Sequence, residues 1–275
     1  MVQVPDIRLN NGVPIPQFGF GVFQVEPERT AEIVRSAFDA GYRHIDTAQG
    51  YGNEEGVGQA IRESGLPRED VYVTTKLANS EHGHDAAIAA LDESLRKLGL
   101  DYVDLYLIHW PRPHADRYVE TWRAFEKIVS EGKARSVGVS NFQVPHLERL
   151  AAETGTVPSV NQIELHPLLP QAQLRTYHRE HGIATEAWGP IGQGGDLLRD
   201  QRLVALAEKY GKSPAQIVLR WHIQLDNIVF PKSVTPSRIR ENIDVFDFEI
   251  GADDMATIDE LDSGTRLGPD PDTFG

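Results

Sequence analysis

Asp46 and Tyr51 lie five residues apart in the stretch Arg43-His44-Ile45-Asp46-Thr47-Ala48-Gln49-Gly50-Tyr51-Gly52-Asn53-Glu54-Glu55. The acid belongs to a short strand, His44 to Ala48, and the phenol to the Gly-rich turn that follows. Asn53 is placed to cap the next helix, with Glu54 and Glu55 in its first turn. Lys76 closes a second apolar run, Val71 to Lys76, and His109 lies near the end of a third, Val103 to Trp110. Buried parallel strands normally read as apolar throughout. Alone, such a lysine reads as a solvated strand end and such a histidine as a hydrogen-bonded core residue. Acid, amine and imidazole on successive strand ends, beside a phenol, point instead to one shared site. A free phenol has a pKa near ~10. A nearby ammonium stabilises the phenolate and is expected to lower that value towards the working range of a general acid. Asp46 would hold Lys76 charged, and His109 could donate to a substrate oxygen. The set suits protonation of a carbonyl oxygen as hydride reaches the carbon.

Other chemistries fit less well. No Ser-His-Asp set with a nucleophile elbow is present. One strand-end His and one Asp are a thin metal-ligand set, which Lys76 would oppose, so no metal is expected. The 275 residues contain no cysteine, which excludes a disulfide framework and a thiol nucleophile. Net charge is -14 (27 Lys plus Arg against 41 Asp plus Glu), with no basic run, so nucleic acid and anionic membranes are poor partners. The start, Met1-Val2-Gln3-Val4-Pro5-Asp6, lacks the regions of a signal peptide. No apolar run approaches the ~18 residues of a membrane span. A cytoplasmic protein, acting as a monomer, is the expectation.

Alternating strand and helix patterns carry these residues. A hairpin over Ile7 to Ile15 turns at Asn11-Gly12. Strands are then expected at Phe18–Phe23, His44–Ala48, Val71–Lys76, Val103–Trp110, Ser136–Asn141, Val160–Leu165, Ala184–Trp188 and Ile228–Lys232. Helical spacing follows each, as in Ile33, Val34, Ala37 and Phe38 before Gly41. Asp253–Leu261 reads as an extra helix. Eight strand-helix units in this length predict a (β/α)8 TIM barrel with an N-terminal capping hairpin and an extra C-terminal helix, one domain over 1–275. A doubly wound sheet is disfavoured, because no G-x-G-x-x-G follows any strand. In a barrel, Asp46, Lys76, His109, Ser140, Asn141, Gln162, Glu164, Trp188 and Lys232 converge on the C-terminal mouth.

Several segments resemble the aldo-keto reductase family over nearly the whole chain. They are Gly41 to Ala48 with Tyr51-Gly52-Asn53-Glu54, Thr74-Thr75-Lys76-Leu77, Asp104 to Pro111, Gly138 to Phe142, Asn161 to Pro167, and Pro231 to Pro236. Val22-Phe23, Trp188-Gly189-Pro190 and Asp244 to Phe248 look most like the bacterial 2,5-diketo-D-gluconate reductases. The resemblance implies NADPH-dependent reduction of aldehydes and ketones, with dicarbonyls such as methylglyoxal or 2,5-diketo-D-gluconate among the candidates. It implies Tyr51 as proton donor, Lys76 and Asp46 assisting it, and His109 orienting the carbonyl. It implies that Ser140, Asn141 and Gln162 hold the nicotinamide carboxamide and that Trp188 stacks on the ring. Gly189, Pro190, Ile191, Phe230, Lys232, Ser233, Val234, Thr235, Arg238, Glu241 and Asn242 are the remaining cofactor candidates. Lys232 and Arg238 are read as the 2′-phosphate site. Phe23, Gln49, His109 and Trp110 are the expected substrate wall, with Phe274 of the tail a lesser candidate. Leu77-Ala78 leaves small a position that is often aromatic in related reductases, and the tail after Leu261 is short. The competing readings are a non-catalytic NADPH-binding or regulatory protein on the same fold, and a metal-dependent barrel hydrolase.

Overall fold

The computed structural model describes residues 3–274; the reading of the N-terminal start falls partly on Met1 and Val2, outside them. Two short antiparallel strands, β1 (Asp6–Arg8) and β2 (Pro14–Pro16), pair Ile7 with Ile15. Their turn contains Gly12 at φ +86°, a left-handed conformation that suits glycine. Asn11 anchors this hairpin by donating from Nδ2 to Ser136 Oγ (2.9 Å). Ile15 is fully buried, in a cluster with Leu105, Leu107, Val160 and Ile228. The hairpin therefore plugs the N-terminal end of the sheet that follows.

That sheet has eight parallel strands in sequence order: β3 (Phe20–Gly21), β4 (His44–Asp46), β5 (Tyr72–Leu77), β6 (Val103–Ile108), β7 (Ala134–Ser140), β8 (Val160–Glu164), β9 (Ala184–Trp188) and β10 (Ile228–Val229). A parallel bridge between Phe18 and Val229 joins its two edges. Gly19 N donates to Val229 O (2.7 Å), and Val229 N to Gln17 O (3.0 Å). These bonds close a (β/α)8 barrel. The connecting helices are α1 (Pro27–Ala40), α2 (Glu54–Glu63), α3 (His84–Leu98), α4 (Tyr118–Ser130), α5 (Val144–Glu153), α6 (Ala172–Glu180), the pair α7 (Gln201–Tyr210) and α8 (Pro214–Gln224), and α9 (Pro236–Ile243). The extra helix is α10 (Ala252–Asp259). α1 buries an apolar stripe of Ile33, Val34, Ala37 and Phe38, the helical spacing expected of these positions.

The first and last strands of the barrel are shorter than their expected runs. The strand expected at Phe18–Phe23 keeps only two ladder residues, because the chain turns away at Gln24 (φ +57°) and leaves Phe23 54% exposed. The one expected to reach Lys232 stops at Val229, just before Phe230-Pro231, where proline has no N–H for a ladder. Asn53 stands at the N-cap of α2 but makes no side-chain cap bond. Its amide instead donates to Val22 O and Val25 O, and its Oδ1 accepts from Thr47 Oγ1 (2.9 Å). It ties the loop after β3 to the Asp46 strand, which is the more useful role for a buried amide.

Candidate functional site

The C-terminal ends of the strands surround a cavity of about 1040 Å³. Asp46, Tyr51, His109, Trp110, Gln162 and Trp188 line it together with Phe23. Lys76 lies beneath, fully buried. Its Nζ contacts Asp46 Oδ1 at 2.7 Å, donates to Thr47 O (2.9 Å) and reaches Tyr51 Oη at 3.4 Å. Adjacent strands place these groups: Asp46 ends β4, Lys76 stands near the end of β5 beside it, and a short 3₁₀ turn over Gln49–Tyr51 folds the phenol back over the ammonium. The His109 ring packs edge-on to Tyr51, centroids 5.8 Å apart.

Burial sets the electrostatics. It pulls Lys76 towards the neutral amine, but its neighbours, Asp46 first among them, outweigh it and hold the ammonium charged. Burial pushes the Tyr51 phenol up, Lys76 pulls it down, and burial wins. The sequence predicted a lowered value, having a neighbouring cation to reason from and no measure of desolvation. The phenol is therefore fully protonated at neutral pH, the form a proton donor needs. Burial and Lys76 together push His109 down to about 3, so its imidazole is neutral.

A second network joins the other strand ends. Ser140 Oγ donates to Gln162 O (2.8 Å), and Asn141 Nδ2 contacts both Ser140 Oγ and His109 O (3.0 Å each). Trp188 Nε1 donates to Asn141 Oδ1 (2.7 Å), which fixes the indole as a wall of the cavity. Asn141 holds this position at φ +63°, a left-handed conformation that asparagine tolerates better than most residues. From Trp188 the cavity runs past Gly189, Pro190 and Ile191 to a second arm built by Phe230, Lys232, Ser233, Val234, Thr235, Arg238, Glu241 and Asn242. Lys232 and Arg238 are exposed and make no ion pair among the described residues.

Every residue named for the site from the sequence lines the cavity except Lys76, which lies below it, Glu164, which binds the tail, and Gln49. Gln49 Oε1 accepts from Ala78 N (3.0 Å), tying the Tyr51 turn to the end of β5, and Gln49 is not among the residues that line the cavity. Gln24, Gln193, Gly194, Leu198, the Ser213-Pro214-Ala215 start of α8, and Leu267-Gly268-Pro269 line it too and were not singled out. The Gly192-Gln193-Gly194-Gly195 cluster after β9, too glycine-rich for a simple helix entry, was a usable signal.

The tail crosses the mouth. Phe274 packs on Trp110 with centroids 4.5 Å apart. Buried Glu164 fastens the segment: Leu267 N (2.5 Å) and Gly268 N (3.1 Å) donate to its carboxylate. Burial pushes this carboxyl up, but His166 and the two amides outweigh it and hold it below its ordinary value. A Cβ on Gly268 would stand 2.3 Å from Trp188 Cη2. Gly268→Ala is therefore expected to lift the tail from Trp188. Overpacking costs about 1–3 kcal/mol, which predicts roughly 5- to 150-fold faster hydrogen exchange at the Leu267 and Gly268 amides by local opening. Unchanged protection at both would show that the seat has room.

Among the described residues, no group of three or more His, Cys, Asp or Glu side chains could hold a metal ion. None of their helices is long and apolar enough to cross a membrane.

The Aldo/keto reductase family profile matches residues 17–263. Methylglyoxal reductase DkgA of Escherichia coli (strain K12) is 51% identical over 270 residues, 98% of each chain. The crystal structure of an aldo/keto reductase from Brucella melitensis superposes with a TM-score of 0.92 at 55% identity, covering 94% of this chain and 100% of that one. A Gox0644 variant solved in complex with NADPH gives a TM-score of 0.95 at 46% identity over 99% of both. The chain belongs to the aldo-keto reductase family.

Proposed function

We propose that the protein is an NADPH-dependent reductase of aldehydes and ketones, with small dicarbonyls of the methylglyoxal type as its preferred class. The observation that carries the reading is the Asp46–Lys76–Tyr51 chain beside a neutral His109 in a cavity with two arms. Its active-site arm suits a carbonyl and a nicotinamide. Ser140, Asn141 and Gln162 offer amide and hydroxyl partners, and the fixed Trp188 indole offers a flat face for stacking. The other arm suits an adenosine 2′-phosphate, with Lys232 shortly before α9 and Arg238 in its first turn, neither in an ion pair among the described residues, where a helix N-terminus favours anions. When bound, NADPH supplies the hydride.

The protein's own groups supply the rest. Neutral His109 donates an N–H to the carbonyl oxygen and positions it. Tyr51 Oη delivers the proton. Lys76 stabilises the phenolate left behind, and Asp46 keeps the ammonium in place. Phe23, Trp110 and Phe274 narrow the mouth and exclude water, a wall suited to small substrates. The similarity to DkgA favours methylglyoxal over bulkier carbonyls. The chain is read as one catalytic domain acting as a cytoplasmic monomer.

NADPH oxidation against methylglyoxal, aromatic aldehydes, diketones and 2,5-diketo-D-gluconate tests this reading. Turnover on none of them by a folded protein that binds NADPH would favour the non-catalytic alternative. The same assay bears on the 2′-phosphate. A guanidinium offers phosphate two parallel donors, and a charge-assisted bond is worth about 1.5–3 kcal/mol. Arg238→Ala should thus weaken NADPH about tenfold or more and leave NADH nearly unchanged. Equal losses for both would mean that Arg238 acts through the fold.

A further inference from the structure

One buried acid has no part in this mechanism. Glu186 lies in the middle of β9, fully buried, two residues before Trp188, so both side chains point into the barrel. Its register partner on β8 is Gln162. Gln162 Nε2 donates to Glu186 Oε2 (2.8 Å) and to Asp46 Oδ2 (2.9 Å). An amide nitrogen has two N–H bonds, and here each has a carboxyl acceptor. The remaining polar atom, Gln162 Oε1, bonds to no described residue and is not among the buried unpartnered atoms, while Gln162 lines the cavity.

We propose that Glu186 is a positioning residue that locks the Gln162 amide with its carbonyl oxygen towards the cavity, so that the site accepts an N–H donor and refuses an acceptor. Resting on the NADPH reading, this makes Glu186 the device that selects a primary carboxamide on the cofactor's ring. Asp46 alone would not suffice, since one fixed N–H leaves the second free to turn towards the ligand. The charges around Glu186 agree with a quiet supporting role. Burial, and then Asp46, push its carboxyl up to about 8, against the pull of Gln162 and Lys76, so it carries its proton at neutral pH. Its Oε1 has no partner among the described residues, which leaves a place for that proton, and Oε2 stays an acceptor. The lock therefore adds no negative charge beside Asp46 and Lys76. The other ionisable group facing it is the Tyr72 phenol on β5, which burial above all keeps protonated.

The test compares dissociation constants, at pH 7, of NADP⁺ and of its 3-acetylpyridine analogue, in which a methyl group replaces the carboxamide NH₂. Glu186→Gln keeps an acceptor and no charge, and so mimics the protonated acid. Glu186→Leu removes the acceptor. Wild type and Glu186→Gln are expected to prefer NADP⁺ by about five- to tenfold, the scale of one hydrogen bond. Glu186→Leu is expected to bring that preference within about twofold, because the freed amide can turn an N–H towards the acetyl oxygen. A merely structural role for Glu186 would weaken both dinucleotides equally and leave the ratio alone. NADP⁺ binding with the same ratio in all three proteins overturns the inference and spares the cofactor reading. Binding of neither dinucleotide to the wild type overturns both.

Discussion

Tyr51→Phe is expected to reduce kcat for carbonyl reduction by about 10²–10⁴, the usual range for loss of a general acid, while the NADPH dissociation constant stays within about twofold. The substitution removes one hydroxyl. The ring remains against Phe23 and His109, with centroids 5.1 and 5.8 Å away, so the wall of the cavity survives. Lys76 keeps its bonds to Asp46 and Thr47 O and loses only its longest contact, at 3.4 Å. What disappears is the single protonated donor that faces the cavity above a buried cation. His109 is a poor substitute: held neutral with a pKa of about 3, it can share an N–H with an oxygen but does not readily release that proton. Because burial raises the phenol, the wild-type donor stays protonated across neutral pH, and its rate should not titrate near the ordinary histidine value. Stopped-flow single-turnover measurements separate the chemical step from product release. Near wild-type turnover in the chemical step would remove Tyr51 from its assigned place.

The positions of Asp46, Lys76 and His109 were legible in the sequence because a parallel strand of a barrel is buried on both faces, so each polar residue at its end is conspicuous. The ordering of eight such strands followed from the same alternation. The sign of the Tyr51 shift was not legible. The lysine beside it is visible in a string of letters, whereas desolvation depends on how Phe23 and His109 close around the phenol. Glu186 escaped notice for a related reason. Its partner, Gln162, sits one strand away, and nothing local states the register that sets the two opposite each other. Gln49, a turn residue next to a reactive phenol, reads as a ligand contact, while the Ala78 amide that bonds to it lies 29 positions on, out of sight of the local sequence. The tail shows the limit most clearly. Leu267 and Gly268 join the site through Glu164, more than 100 positions away. The sequence marked Glu164 as a polar strand end and the tail as short, without a way to connect them.

Lys76→Met should lower kcat by about 10²–10³, taking as its measure the roughly 2.7–4 kcal/mol lost with one preorganised group at a developing oxyanion. Methionine retains the length and bulk of the chain in a fully buried slot, so packing changes little. The loss falls on two groups. The Tyr51 phenol, already raised by burial, loses the one charge that pulled it down and becomes a weaker acid. Asp46 loses its 2.7 Å ion-pair partner, although Gln162 still donates to Oδ2. Removing one member of a buried pair costs about 3–5 kcal/mol when the other stays charged. Burial already raises the Asp46 carboxyl, and without Lys76 it rises further, so the variant escapes part of that cost by binding a proton. The sign follows from linkage: a carboxyl raised in the folded state binds more protons there than in the unfolded chain, so stability falls as pH rises through the window above the unfolded value. The melting temperature of Lys76→Met should therefore approach that of the wild type near pH 5 and fall behind it by several degrees near pH 8. Cofactor affinity should change less than kcat, because Lys76 lies under the phenol and does not line the cavity. A constant melting-temperature gap across that pH range would show that Asp46 does not depend on Lys76 for its charge. An unchanged kcat would show that the phenol does not depend on it for its acidity.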